Sequence, residues 1–165
     1  MSFLRFLRML SLGLWTGSIF FFAAAVAPIL FSVLPTRQLA GTVVSQSLGR
    51  LHWVGFVCGA IFLIAGILIT MLEGPWSAFR LRDLLLVLML GITLYLQFGL
   101  ERHMNHLKAD MGVIDVVPRD DPRRVEFNRL HVWSTRLEGS VLIFGIVLMF
   151  LEAREESAER RYYRS

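Results

Sequence analysis

The chain has 165 residues, 55% of them hydrophobic, a formal net charge of +4 and a mean hydropathy of +0.59. Its apolar residues come in long blocks rather than at amphipathic spacing, which excludes an ordinary soluble domain of this size. The basic residues flank those blocks or mix with acids, leaving no basic stripe for nucleic acid, and the single Cys58 can form neither an intramolecular disulfide nor a thiolate metal site.

No charged residue lies between Arg8 and Arg37. The basic start and Ala23-Ala24-Ala25-Val26-Ala27 imitate a signal peptide, but the apolar run continues through Pro28 to Leu34. It reads as a retained first span over about 9–34, kinked at Pro28 and ended by Pro35. Residues 36–50 are mixed, either a short interfacial helix or an extension of the next span. The second span covers 51–72, and Glu73-Gly74-Pro75 makes the turn after it. The third span starts near Leu84 and must run on to Arg102 to cross the hydrocarbon.

Residues 103–120 are polar and read as a helical extension followed by a loop. Asp121-Pro122 is then a helix start, since Asp accepts free backbone N–H groups and proline lacks the one that would be orphaned. Nothing breaks that helix until past Phe150, so the fourth span covers about 130–152 and carries Arg136 and Glu138 into apolar surroundings. The tail, 153–165, alternates acids and bases and reads as a solvated helix end. The expectation is an all-α integral membrane protein: one four-helix bundle with short loops and a longer polar loop between spans three and four. There is no internal repeat. Arg5 and Arg8, with Arg160, Arg161 and Arg164, favour an N-in, C-in orientation.

Parity places the polar residues. With four spans, the start of span two, the end of span three and the start of span four share one membrane face, so His52, His103, His106 and His131 all lie opposite the N-terminus. Helical spacing groups His52, Gly55, Gly59, Phe62 and Gly66 on one stripe of span two. Span one offers Gly13, Gly17, Ala24 and Ala27; span three Gly91, Tyr95, Phe98, Arg102 and His106; span four His131, Thr135, Glu138, Leu142 and Gly145. Gly13 with Gly17, and Gly55 with Gly59, are small-xxx-small pairs suited to helix packing.

If those stripes face inward, His52, Arg102, His106, His131 and Glu138 converge on a polar mouth at one end of the bundle. A carboxylate at the depth of Glu138 costs about 2.5–3.5 kcal/mol, so it needs a partner, with Arg102 preferred over Arg50 and Arg136. His103 and His106, at i and i+3, could hold a metal ion. Each feature also has a plainer reading. Histidine, arginine and the neighbouring Trp53 and Trp133 concentrate at membrane interfaces because their tips are wet. His103 and His106 suit a solvated helix end, Glu138 a structural ion pair, and the glycine stripes plain packing. No phosphate loop, CxxC pair, nucleophile elbow or HExxH signature occurs, and no residue reads as catalytic.

Gly13-Leu14-Trp15-Thr16-Gly17-Ser18, running into Phe20-Phe21-Phe22 and Val26-Ala27-Pro28, resembles the first span of the transmembrane-protein-205-like (DUF4149-type) membrane proteins. Arg123 to Ser134, with Phe127, Leu130-His131 and Ser134, resembles that family's entry to its last span. The resemblance implies four spans over nearly the whole chain and a bacterial membrane protein of unknown function. For the family's eukaryotic members it implies an association with platinum-drug resistance and vesicle trafficking. The architecture is also similar to the four-span CopD copper-resistance proteins and HemJ-type haem-pathway oxidases, whose inward histidines bind metal or haem; this chain has no histidine in its first span.

Three functions follow as expectations. The first is non-enzymatic binding or transport of a small solute or metal through the polar mouth. The second is a structural or assembly subunit, or a homo-oligomer, that packs on other membrane helices. The third is an oxidoreductase holding copper, or a haem between His52 and His131. All three place the chain in a lipid bilayer, the bacterial inner membrane, without nucleic acid.

Overall fold

A computed structural model describes residues 2–73 and 81–162. Helix α1 (Ser2–Phe21) continues through a π turn (Phe22–Val26) into α2 (Ala27–Val33). Pro28 has no N–H to give, and the turn before it is widened, with Ala27 N–H bonded to Phe22 O five residues back. Leu34, preceding Pro35, is extended at ψ 141°, and span one ends there as expected. α3 (Arg37–Glu73) is one helix, so residues 37–50 extend the second span rather than forming a separate element. The turn expected at Glu73-Gly74-Pro75 lies, beyond Glu73, outside the described residues.

α4 (Leu81–Tyr95) passes through a second π turn (Leu96–Leu100) into α5 (Glu101–Met111). Gly112, at φ +65°, stops α5 in a conformation that a residue with a Cβ resists. After a 3₁₀ turn (Ile114–Val116), α6 (Pro122–Tyr162) runs unbroken for 41 residues. Asp121 caps it as expected: Oδ1 accepts the Arg123 N–H at 2.9 Å, and Oδ2 meets Arg123 Nη2 at 2.8 Å. The Arg123 side chain clasped on it is the main reason the Asp121 carboxyl is held down at about 2.

The described residues contain no strand, and four helical stretches are long and apolar enough to cross a membrane: Phe3–Val33, Arg37–Leu72, Leu81–Met111 and Pro122–Arg154. The protein is an all-α four-helix bundle of integral-membrane type. α1 packs on α3 and α6, and α4 packs on the same two, so the order around the bundle is α1, α3, α4, α6. Buried Leu12, Trp15 and Ile19 of α1 meet Cys58 and Phe62 of α3, Leu86 and Met89 of α4, and Val141 and Leu148 of α6. The outward faces are apolar too, Val57, Ile64, Val87 and Ile143 among them, as a lipid-facing surface requires.

Three glycines admit close approaches. A Cβ on Gly55 would lie 2.5 Å from Trp15 Nε1, on Gly59 2.6 Å from Leu90 Cδ2, and on Gly145 2.5 Å from Thr16 Oγ1. The expected Gly13–Gly17 stripe does not form a close contact of this kind. A Cβ on Gly13 would reach only Met149 Cε, at 4.0 Å, and Gly17 is exposed with nothing within 4 Å. The inner face of α1 is instead Arg8, Ser11, Leu12, Trp15, Thr16 and Ile19, which leaves Gly17 outside.

At 37 and 41 residues, α3 and α6 measure about 55 and 61 Å, twice a bilayer's hydrocarbon core of about 30 Å. Their surplus at one end joins α5 in a polar extension around buried Ala40, Leu107 and Met111, tied by Gln38 Nε2 donating to Gly112 O at 3.2 Å.

Candidate functional site

The inner row of α3 begins at His52, whose side chain is 3% exposed. Its Nδ1 lies 2.7 Å from Gln97 Oε1 and its Nε2 3.2 Å from Glu138 Oε2. Three elements meet here: α3, the π turn that follows α4, and α6. With the Gln97 carbonyl facing Nδ1, that nitrogen donates. Nε2 and the Glu138 carboxylate are then within hydrogen-bond reach across α3 and α6.

One turn further toward the same end, Ser45 Oγ donates to Glu101 Oε1 at 3.1 Å. Glu101 Oε2 is buried with no hydrogen-bond partner. A Cβ on Gly49 would sit 3.5–3.6 Å from both carboxylate oxygens and 3.7 Å from Gln97 Nε2, so the carboxylate and amide lie over bare backbone. Beside them a shallow cleft opens between Gln97, Phe98, Glu101, Arg102 and Asn105. Two carboxylates and an imidazole thus occupy this end. Among the described residues, neither Glu101 nor Glu138 pairs with an arginine or lysine.

The partner of Glu138 is His52, not Arg102. The Arg102 guanidinium is exposed and lies 5.5 Å from the Phe98 ring centroid, while Arg136 lies 6.0 Å from that of Trp133. His131 is on an exposed face of α6, stacked on Phe127 with ring centroids 6.4 Å apart. His106 is exposed, and His103 Nε2 meets Glu126 Oε1 at 2.9 Å with both side chains about half exposed. Of the five residues expected at the mouth, His52 and Glu138 therefore meet, Arg102 lines the neighbouring cleft, and His106 and His131 face outward.

The donor sets do not fit the metal or haem expected from the sequence. Both ring nitrogens of His52 are engaged by side chains, and His131 does not face it. Among the described residues no three of His, Cys, Asp and Glu group around a point where an ion could sit.

The opposite end has its own polar cluster, which sequence reasoning missed. Glu152 Oε1 accepts from Arg8 Nη2 at 2.7 Å and from Arg82 Nη1 at 3.0 Å, and the Arg8 guanidinium lies 4.3 Å above the Phe62 ring. Its signal is the spacing of Arg8 with Leu12, Trp15 and Ile19, and of Glu152 with Leu148, Gly145 and Val141. Gln97 and Glu101 were also missed; an amide within Leu94-Tyr95-Leu96-Gln97-Phe98 is the one polar interruption there.

The family model described as "Domain of unknown function (DUF4149)" matches residues 10–112, which includes His52, Gln97 and Glu101 and stops short of Glu138. No curated protein and no solved structure matches the chain.

Proposed function

The chain belongs to the DUF4149 family, and we propose that this integral membrane protein binds a small cationic solute at the polar end formed by His52, Gln97, Glu101 and Glu138. The observation that carries the reading is Glu101 Oε2, a buried carboxylate oxygen without a partner. A buried charge is retained only when something compensates it; Lys108 acts on Glu101 through space, but neither it nor Arg102 forms an ion pair with the carboxylate. A species bringing its own positive charge and N–H donors complements such a site. The family description names no activity.

Titration calorimetry of the purified protein with ethylammonium, and separately with zinc and copper salts, tests this. Saturable ethylammonium binding that Glu101→Gln abolishes is expected. Equal heats from wild type and variant would refute it, and tight zinc or copper binding would replace the organic cation with a metal.

The membrane is proposed to be the bacterial inner membrane with the N-terminus inside, on the strength of Arg5 and Arg8 ahead of span one. The polar end then faces away from the cytoplasm, so Asn105→Cys is expected to react with an impermeant maleimide added to intact cells.

A second reading, assembly with other membrane helices or a second copy, is favoured by α1, where Gly17 and Ala24 are exposed. Migration as a monomer in mild detergent would remove it.

A further inference from the structure

The cleft beside Glu101 has features that a free aqueous cation does not need. Its lining combines an acid, Glu101, with a base, Arg102, and one wall is the exposed ring of Phe98. Phe98 belongs to an aromatic cluster on the outside of the bundle. Its ring stacks on Phe56 at 6.3 Å between centroids and meets Trp53 edge-on at 6.4 Å. Trp53 is 57% exposed and follows His52 in sequence, so the cluster sits at the depth where the bundle turns polar. Tryptophan at that depth, on an apolar outer face, marks the headgroup layer of a bilayer.

We infer that this cleft takes the headgroup of a zwitterionic amine phospholipid, the ammonium on Glu101 and the phosphate on Arg102, with the acyl chains along Trp53, Phe56 and Phe98. The inference rests on the reading of Glu101 as a cation-binding group and names the class of molecule that brings the cation. The charge pattern selects it. Glu101 lines the cleft and its Oε1 takes one side-chain hydrogen bond, from Ser45, leaving lone-pair capacity on that oxygen; Arg102 presents a guanidinium fork suited to a phosphate, and the two are consecutive residues. Asn105, one turn beyond Arg102, adds an amide at the wet rim. The aromatic wall provides apolar surface for the glycerol region and chains. An anionic phospholipid without an amine would satisfy Arg102 and leave Glu101 as it is. A free amine would satisfy Glu101 and leave the aromatic wall bare.

The full chain in nanodiscs, read by quenching of tryptophan fluorescence with brominated lipids, separates these cases. Brominated phosphatidylethanolamine is expected to outcompete brominated phosphatidic acid roughly tenfold at the cleft, the size of one charge-assisted hydrogen bond. Glu101→Gln removes that preference and Arg102→Ala weakens both lipids. Trp133→Phe, away from the cleft, leaves the pattern intact and removes background emission. Thermal melts of each variant identify any that fail to fold, and Glu101→Asp and Arg102→Lys then serve as milder replacements. Equal quenching by the two lipids, or a preference that Glu101→Gln and Glu101→Asp both leave unchanged, overturns the inference. Ethylammonium binding without lipid preference defeats the lipid inference alone, whereas loss of both defeats the cation reading as well.

Discussion

His52 Nε2 lies 3.2 Å from Glu138 Oε2 while its other nitrogen is held 2.7 Å from Gln97. The contact joins α3 to α6 across the end of the bundle, and each group supplies what the other would lack in an apolar interior. Removing one partner leaves the other buried and unsatisfied, at about 1–3 kcal/mol. Glu138→Ala and His52→Ala are each expected to lower the thermal midpoint in detergent. His52→Ala with Glu138→Ala together should lose less than the two single losses added, because neither group is left stranded. Strict additivity in that cycle would show that the pair does not couple.

The cluster at the other end should be the stronger. Glu152 serves both Arg8 and Arg82, and all three side chains are nearly buried, with 10–13% exposed. Glu152→Ala is expected to cost about 3 kcal/mol, as for other buried pairs that lose one member. Glu126→Ala, which frees the half-exposed His103, should cost less than about 1 kcal/mol. Urea or detergent unfolding of the two variants side by side checks the ranking, and equal losses would contradict it.

Glycine positions divide by what lies opposite. Gly55→Ala meets the Trp15 ring and Gly145→Ala meets Thr16 and the Met89 terminus, both inside the bundle, so each should cost about 1–3 kcal/mol through forced repacking. Gly17→Ala meets open space and should leave the monomer's thermal midpoint unchanged or slightly raised. A fall with Gly17→Ala would point to a helix from another chain seated there.

The start of α6 responds to acid. The clasp with Arg123 lowers the folded-state pKa of Asp121 from 3.8 to about 2, so its stabilisation is fully present above pH 4 and is lost as pH falls from there through 2. Carboxyl-carbon NMR should show Asp121 titrating near 2 in wild type and moving upward toward 3.8 in Arg123→Ala. An unchanged value would mean that the backbone cap alone sets it.

Span count, the Asp121 cap, the stop at Pro35 and the grouping of polar residues by membrane face were all legible, because they depend on length, charge and backbone chemistry. So was the inner row of α3, where His52, Gly55, Gly59 and Phe62 are all buried. Facing failed elsewhere for a physical reason. In a bilayer both sides of a span are apolar, so hydropathy gives little contrast, and glycine was used as the marker of packing instead. In α4 and the π turn after it that marker misled: Gly91, Tyr95 and Phe98 face outward, while Leu86, Met89, Thr93, Leu96 and Leu100 face in. The π turn at Leu96–Leu100 adds to the error by shifting the register where Gln97 must reach His52. The same facing error put Arg102 opposite Glu138.

Glu138 and Glu152 are fourteen residues apart on one unbroken helix, about 21 Å along its axis. A typical hydrocarbon slab is about 30 Å thick, so the two polar layers are closer together than the slab they cross. Both carboxylates face into the bundle, so the protein carries two polar layers within the thickness of the hydrocarbon, each satisfied by partners on other helices rather than by water.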